Sequence, residues 1–135
     1  MSGSIPSVLY HFTCIDSVEG VRREGITRGF IPLLGASGTM QLRPGWAWLT
    51  EDPDPARQTW IRTRAEGAAC DRSEFRFAVD PAKCVRLTRW LDHPVRAQAR
   101  TSWLRDFELY PDVVARWWLA RCPVPAEALR LETGT

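Results

Sequence analysis

The chain has two histidines, and one of them, His11, stands in "VLYHFTC" (8–14) beside Tyr10, Thr13 and Cys14. An imidazole at a strand end, two residues from a hydroxyl, can hold a ligand, because one ring nitrogen donates while the other is anchored. The plainer role for these residues is to close a buried strand. His11 and Cys14, at H-x2-C spacing and joined by Cys70, offer three metal ligands without an evident fourth, so no metal is assigned. A Cys14 and His11 nucleophile pair lacks the surrounding signature such cysteines carry. In "WAWLT" (46–50), Trp46 and Trp48 suit either core packing or a stacking wall. Phosphate loops, dinucleotide fingerprints, HExxH and the GxSxG elbow are absent from the sequence.

Positioning such residues requires strands. "SVLYHF" (7–12) is rich in strand formers. After it, Asp16 or Ser17 can cap a short helix with Ile15, Val18 and Val21 at helical spacing, ended by Gly25. "ITRGFIPLL" (26–34) reads as extended, and "GASGTMQLRPG" (35–45) as a mobile surface loop. If "WAWLT" alternates, Trp46, Trp48 and Thr50 share one face. Asp54 and Pro55 open a helix with Ala56, Trp60 and Ile61 along one side. Phe75, Phe77 and Val79 alternate along a half-buried strand (74–80), and "CVRLTRWL" follows as another extended piece. Asp92 and Pro94 open a helix with Val95, Ala99, Trp103 and Phe107 recurring every four residues, and Pro111 stops it. "VVARWWL" (113–119) and "ALRLE" (128–132) read as late strands separated by the prolines of "CPVPAE". Trp60 and Trp103, on helix stripes, belong to the core, and "CDR" (70–72) is a turn entering a strand. The fold class is α+β, with two or three helices flanking a sheet.

At 135 residues, the length fits one domain over 1–135, with residues 1–6 as a flexible lead. Lys83 is the single lysine among 18 basic residues, and the net charge of +2 is too small for a general nucleic-acid groove, although arginine forks leave local phosphate sites open. Apolar runs are short and no signal-peptide pattern is present, so the expectation is a cytoplasmic protein with no membrane contact. Four dispersed cysteines without a CxxC pair predict reduced thiols. Oligomeric state is not legible.

"LYHFTCIDSVEGVRREGI", "WAWLT" and "RCPVPAEAL", in that order, resemble small bacterial ADP-ribosyltransferase-fold proteins, chiefly the DarT-like and related toxin branches and more remotely the NAD-dependent RNA 2'-phosphotransferases. In those families a Tyr-His-[aromatic]-Thr strand leads into a helix ending in EG[IL]. An [aromatic]-Leu-[Ser/Thr] strand follows, and a late PGP[IV]PPE stretch closes the set. The resemblance implies a split β-sheet core and NAD as substrate. It also implies transfer of ADP-ribose to a nucleic acid, protein or small molecule, with a toxin or phage-conflict role by analogy. Nicotinamide departs with oxocarbenium character, so such a site orients the ribose and stabilises developing positive charge. On this reading His11 bonds the adenosine-side ribose, Thr13 helps close the cleft beside Tyr10, and Trp48 and Thr50 line the nicotinamide wall. Arginines hold the pyrophosphate. Many members carry a glutamate at the start of the strand entering "PVP", and aligning that motif puts Trp117 there. Glu108 and Glu74 are the nearest acidic substitutes, while Arg76, Arg116 or Arg121 could serve a phosphate-centred reaction. His11, Glu108 and Arg76 are the catalytic candidates. The alternative is a non-catalytic nucleotide- or partner-binding domain that keeps the fold without the glutamate.

Overall fold

The computed structural model describes residues 4–34, 40–55, 74–98, 108 and 110–132. Among these residues eight strands run β1 (Leu9–Thr13), β2 (Phe30–Leu34), β3 (Met40–Pro44), β4 (Trp46–Thr50), β5 (Phe75–Val79), β6 (Val85–Arg89), β7 (Trp117–Arg121) and β8 (Leu129–Glu132). Among the described residues two helices, α1 (Val18–Glu24) and the single turn α2 (Pro111–Val114), accompany them, giving an α+β architecture that is mostly sheet. Six strands form one antiparallel sheet in the order β6-β7-β4-β1-β5-β8, and β2 and β3 form a separate ribbon. The earliest strand thus lies near the sheet centre, between partners that follow it far along the chain.

The central strands are apolar on both faces because both are covered. On one face Leu9, Leu49, Val79, Trp118 and Ala120 pack with Ile26, Val124 and Ala128. On the other, Trp48, Trp117 and Leu119 pack against Ile31 and Leu33 of the ribbon, Trp90, Val95, and Val113 and Val114 of α2. α1 ends at Gly25 (φ 85°), whose N–H bonds the Val21 carbonyl, after which Ile26 pairs with Val124. The helix end is thereby tied to the segment between β7 and β8.

Several expectations need correction. Residues 40–44 are not loop but β3, with Pro44 opposite Phe30 and Pro32 opposite Leu42. Prolines fit there because each strand of a two-stranded ribbon has an open edge. Pro111 begins a helical turn instead of ending one, so Val113 and Val114 are helical and the strand starts at Trp117; proline's fixed φ suits a first helical position as well as a stop. Residues 94–98 form a 3-10 turn in place of an α-helix start. Ile15, expected on the packed side of the first helix, is exposed just before it. Cys14 is buried and disulfide-bonded, against the expectation of reduced thiols; cysteine spacing carries no information on which sulfurs a fold brings together. The proposed helix beyond Pro55, Trp60, the "CDR" turn, Trp103 and the other residues of 99–107 in the helix expected after Asp92 lie outside the described residues. No helix among the described residues is long and apolar enough to cross a membrane.

Candidate functional site

β1 and β4 share a single paired position, Tyr10 with Thr50, whereas β1 with β5 and β4 with β7 pair along five positions each. The sheet therefore opens between β1 and β4 below Tyr10. Into this opening the half-buried His11 turns its ring, and Nδ1 lies 3.0 Å from the Trp48 carbonyl oxygen. A carbonyl only accepts, so in the neutral ring Nδ1 carries the proton and Nε2 is the acceptor.

Alternation along the strands distributes the remaining candidates. Tyr10, Trp48 and Thr50 share one face through the Tyr10 and Thr50 register, while His11 and Thr13 project from the other. His11 and Trp48 meet through the Trp48 backbone and not through stacked rings. Thr13 and Thr50 are both buried. Trp48 is fixed from several sides: its indole N–H donates to the Phe30 carbonyl (3.0 Å), and its ring lies 5.1 Å from Trp90 and 5.8 Å from Trp117. It serves as a wall of the ribbon-side core.

The structure does not bring the catalytic candidates to one point. Arg76 Nε donates to Glu132 (2.9 Å) and Nη1 to the Pro53 carbonyl (2.7 Å), with its guanidinium 5.4 Å from the Tyr10 ring. Glu108 accepts from both Arg96 (2.7 and 3.0 Å) and the Trp90 indole (2.9 Å). Burial raises its carboxyl, but the bonds from Arg96 and Trp90 and the charge of Arg96 outweigh this and hold it below the usual carboxylate range. Glu108 is thus an ionised anchor that reaches Trp48 only through Trp90. Glu74 accepts from the Ile15 backbone (3.3 Å). Trp117 stands opposite Thr50 and is buried in the core, so that register position holds no acid. Arg121 lies over Trp46, and Arg116 stands 4.0 Å from Asp52.

Cys14, as a disulfide, is neither metal ligand nor nucleophile. Burial, with Asp80 adding to it, pushes the Cys84 thiol up to about 11, and burial also raises Cys122, so neither is a thiolate at neutral pH.

Sequence reasoning missed two buried groups. Asp52, 4% exposed, folds back so that its N–H donates to Thr50 Oγ1 (3.1 Å), and its Oδ1 accepts from Asp54 (3.0 Å). The acidic "TEDPD" after β4 was a signal for it. His93, also 4% exposed, accepts from the Val95 N–H at Nδ1 (3.1 Å) and meets Trp46 edge-on at 4.6 Å. No periodicity pointed to it. Burial first, then the Arg43 charge, lowers its pKa below the usual 6.5. The unfolded chain therefore takes up a proton near pH 6.5 while the folded one resists, so stability is full above that pH and falls as pH drops through the lowered value. The unfolding midpoint measured against pH should show this decline, and His93→Gln should flatten it; an unchanged slope in the variant would assign the acid sensitivity elsewhere.

No protein-family model, curated protein or solved structure matches the chain.

Proposed function

We propose that this chain is an NAD-binding protein of the ADP-ribosyltransferase type, with an ADP-ribosyltransferase-like split core, that seats its nucleotide at the opening between β1 and β4 and transfers ADP-ribose to an acceptor. The observation that carries the proposal is the His11 contact. Anchored at Nδ1 by the Trp48 carbonyl, the ring is held in the tautomer whose Nε2 can accept a ribose hydroxyl. Two further arrangements support it. The three segments that carry the resemblance, distant in sequence, are neighbours in space: β1 lies beside β4, β4 beside β7, and Ile26 pairs with Val124. The weak β1 to β4 ladder is also what a split sheet requires.

A second reading, a nucleotide-binding domain without transferase chemistry, is favoured by Trp117. A glutamate there would act on the ribose, but a core indole occupies the position. A nucleic-acid or protein acceptor and a cytoplasmic location belong to the first reading; the Cys14 disulfide argues against the location, because such bonds persist mainly in oxidising compartments.

Thermal unfolding with excess NAD tests both. Ligand at ~100 times its dissociation constant adds about 2.7 kcal/mol, a shift of several degrees. The parent chain should show this shift and His11→Ala should lose it; equal shifts in the two proteins, or none in the parent, would remove the nucleotide assignment. Nicotinamide released in the same samples separates transferase from binder.

A further inference from the structure

Away from the nucleotide opening, the sheet brings two thiols together. Val85 of β6 is the register partner of Arg121 of β7, and the two strands are antiparallel. The residue before Val85 and the residue after Arg121 therefore come opposite each other one step beyond the ladder, and these are Cys84 and Cys122. Cys84 is extended (φ −92°, ψ 146°), so it continues the line of the strand. Alternation turns both cysteines to the face away from Val85 and Arg121. The packing agrees, since both lie half-buried against the core of Leu9, Leu49, Val79 and Val124. Both are free thiols.

Opposed positions of an antiparallel pair hold their Cα atoms about 4.5–5.5 Å apart, within the roughly 4.4–6.8 Å that a disulfide spans. A metal fits less well: two sulfurs leave a tetrahedral site half-filled, and among the described residues no group of three His, Cys, Asp or Glu comes together. A cross-link here would join a loosely held strand to a fixed point. The β6 to β7 register shifts between Val85 and Thr88, with Arg86 at φ 53°, so the start of this edge strand hangs on the Val85 and Arg121 pair. At Cys122 the N–H donates to the Gly45 carbonyl (2.8 Å), and two residues on the Val124 N–H donates to the Ile26 carbonyl (2.9 Å).

We propose that Cys84 and Cys122 are a redox-active dithiol that closes to a second disulfide, tying the edge strand β6 to the segment after β7. The oxidant is a small-molecule disulfide. One cysteine attacks it as the thiolate, releasing one small thiol and leaving a mixed disulfide; the other, after losing its own proton, displaces the second small thiol. The two protein thiols give up two electrons and two protons, and the small disulfide takes up both to become two thiols. Before it reacts, the Cys84 thiol gives up its hydrogen bond to the Asp80 carbonyl (3.6 Å). Cys14 is already disulfide-bonded, and the compartments in which such bonds persist supply an oxidant of this class. The inference does not rest on the nucleotide reading, and its test contains no NAD.

The probe is oxidised glutathione, incubated with the folded full chain in mildly alkaline buffer because burial holds both thiols protonated at neutral pH. Intact mass should fall by two hydrogen atoms, and a non-reducing digest should yield one peptide pair joined through Cys84 and Cys122. The treated chain should also unfold several degrees above the untreated one, as expected for closing a long loop. Neither Cys84→Ser nor Cys122→Ser can close the bond, so both should lack the joined peptides and the rise in midpoint. A parent that keeps glutathionyl groups without the cross-link, a bond from either cysteine to Cys14, or no reaction at all would overturn the proposal. A cross-linked chain with an unchanged midpoint would overturn the claim that the bond secures β6.

Discussion

Trp90→Ala is expected to lower stability by roughly 3–5 kcal/mol, the range for emptying a buried aromatic site. Trp90 is fully buried, with its ring against Trp48 and near His93 and its indole N–H on Glu108. A domain stabilised by about 5–15 kcal/mol in total would be left marginal. Two consequences separate on milder substitution. Trp90→Phe keeps most of the packing but removes the donor to Glu108, at a cost of about 1–3 kcal/mol. Because Glu108 then relies on Arg96 alone, its carboxyl should titrate higher than in the parent. Chemical denaturation of both variants, with the Glu108 titration followed by NMR, checks the pair. A Trp90→Ala protein as stable as the parent would show that the ribbon-side core does not depend on this ring.

The second large effect is expected from Gly25→Ala. With φ at 85°, any side chain is strained by about 1–2 kcal/mol. A Cβ at this position would also run into the Val124 carbonyl oxygen, with the Ala126 nitrogen 2.9 Å away. Both obstacles are backbone, so relief requires moving the segment after β7, and overpacking of this kind adds roughly 1–3 kcal/mol. The same movement would break the reciprocal Ile26 and Val124 hydrogen bonds (both 2.9 Å). The unfolding midpoint should fall by roughly ten degrees, since a chain of this length lies between the size classes that shift by about 4–8 °C and about 2–4 °C per kcal/mol. If Gly25→Ala folded with an unchanged midpoint, the close approach between the helix end and residues 124–126 would not be needed for the fold.

Local pattern was enough for the strands whose residues alternate or are β-branched, and for α1, where Val18, Val21 and Gly25 carried both the helix and its end. It failed where proline has two uses. Pro111 was legible as punctuation, but a stop and a first helical position look alike without the packing of Val113 and Val114. β3 was hidden because Gly and Ser before it and Pro44 within it are ordinary loop composition. At the site, the placing of His11 near Trp48 came from the resemblance, because two strands read from pattern alone need not be neighbours. Their contact through a backbone carbonyl did not, because it depends on β1 and β4 parting after one pair. Glu108 was singled out by charge alone, and charge does not tell a reacting acid from one held by Arg96 and Trp90. The Asp52 return to Thr50 is a turn whose direction no spacing specifies.

The position of β1 in the sheet also bears on how the chain reaches this state. Leu9–Thr13 leaves the ribosome before the strands it pairs with, since its neighbours are Trp46–Thr50 and Phe75–Val79, and the strand beyond β4 begins only at Trp117. At about 5–20 residues per second of synthesis, the first strand waits on the order of seconds for its second partner, with Leu9 and Phe12 meanwhile uncovered. Every ladder of the main sheet except β6 to β7 and β4 to β1 awaits still more distant segments, so refolding should be slow, in the millisecond-to-second range typical of non-local pairing. A strand that nature places early and central makes the nascent chain a client for whatever shields apolar segments at the tunnel exit.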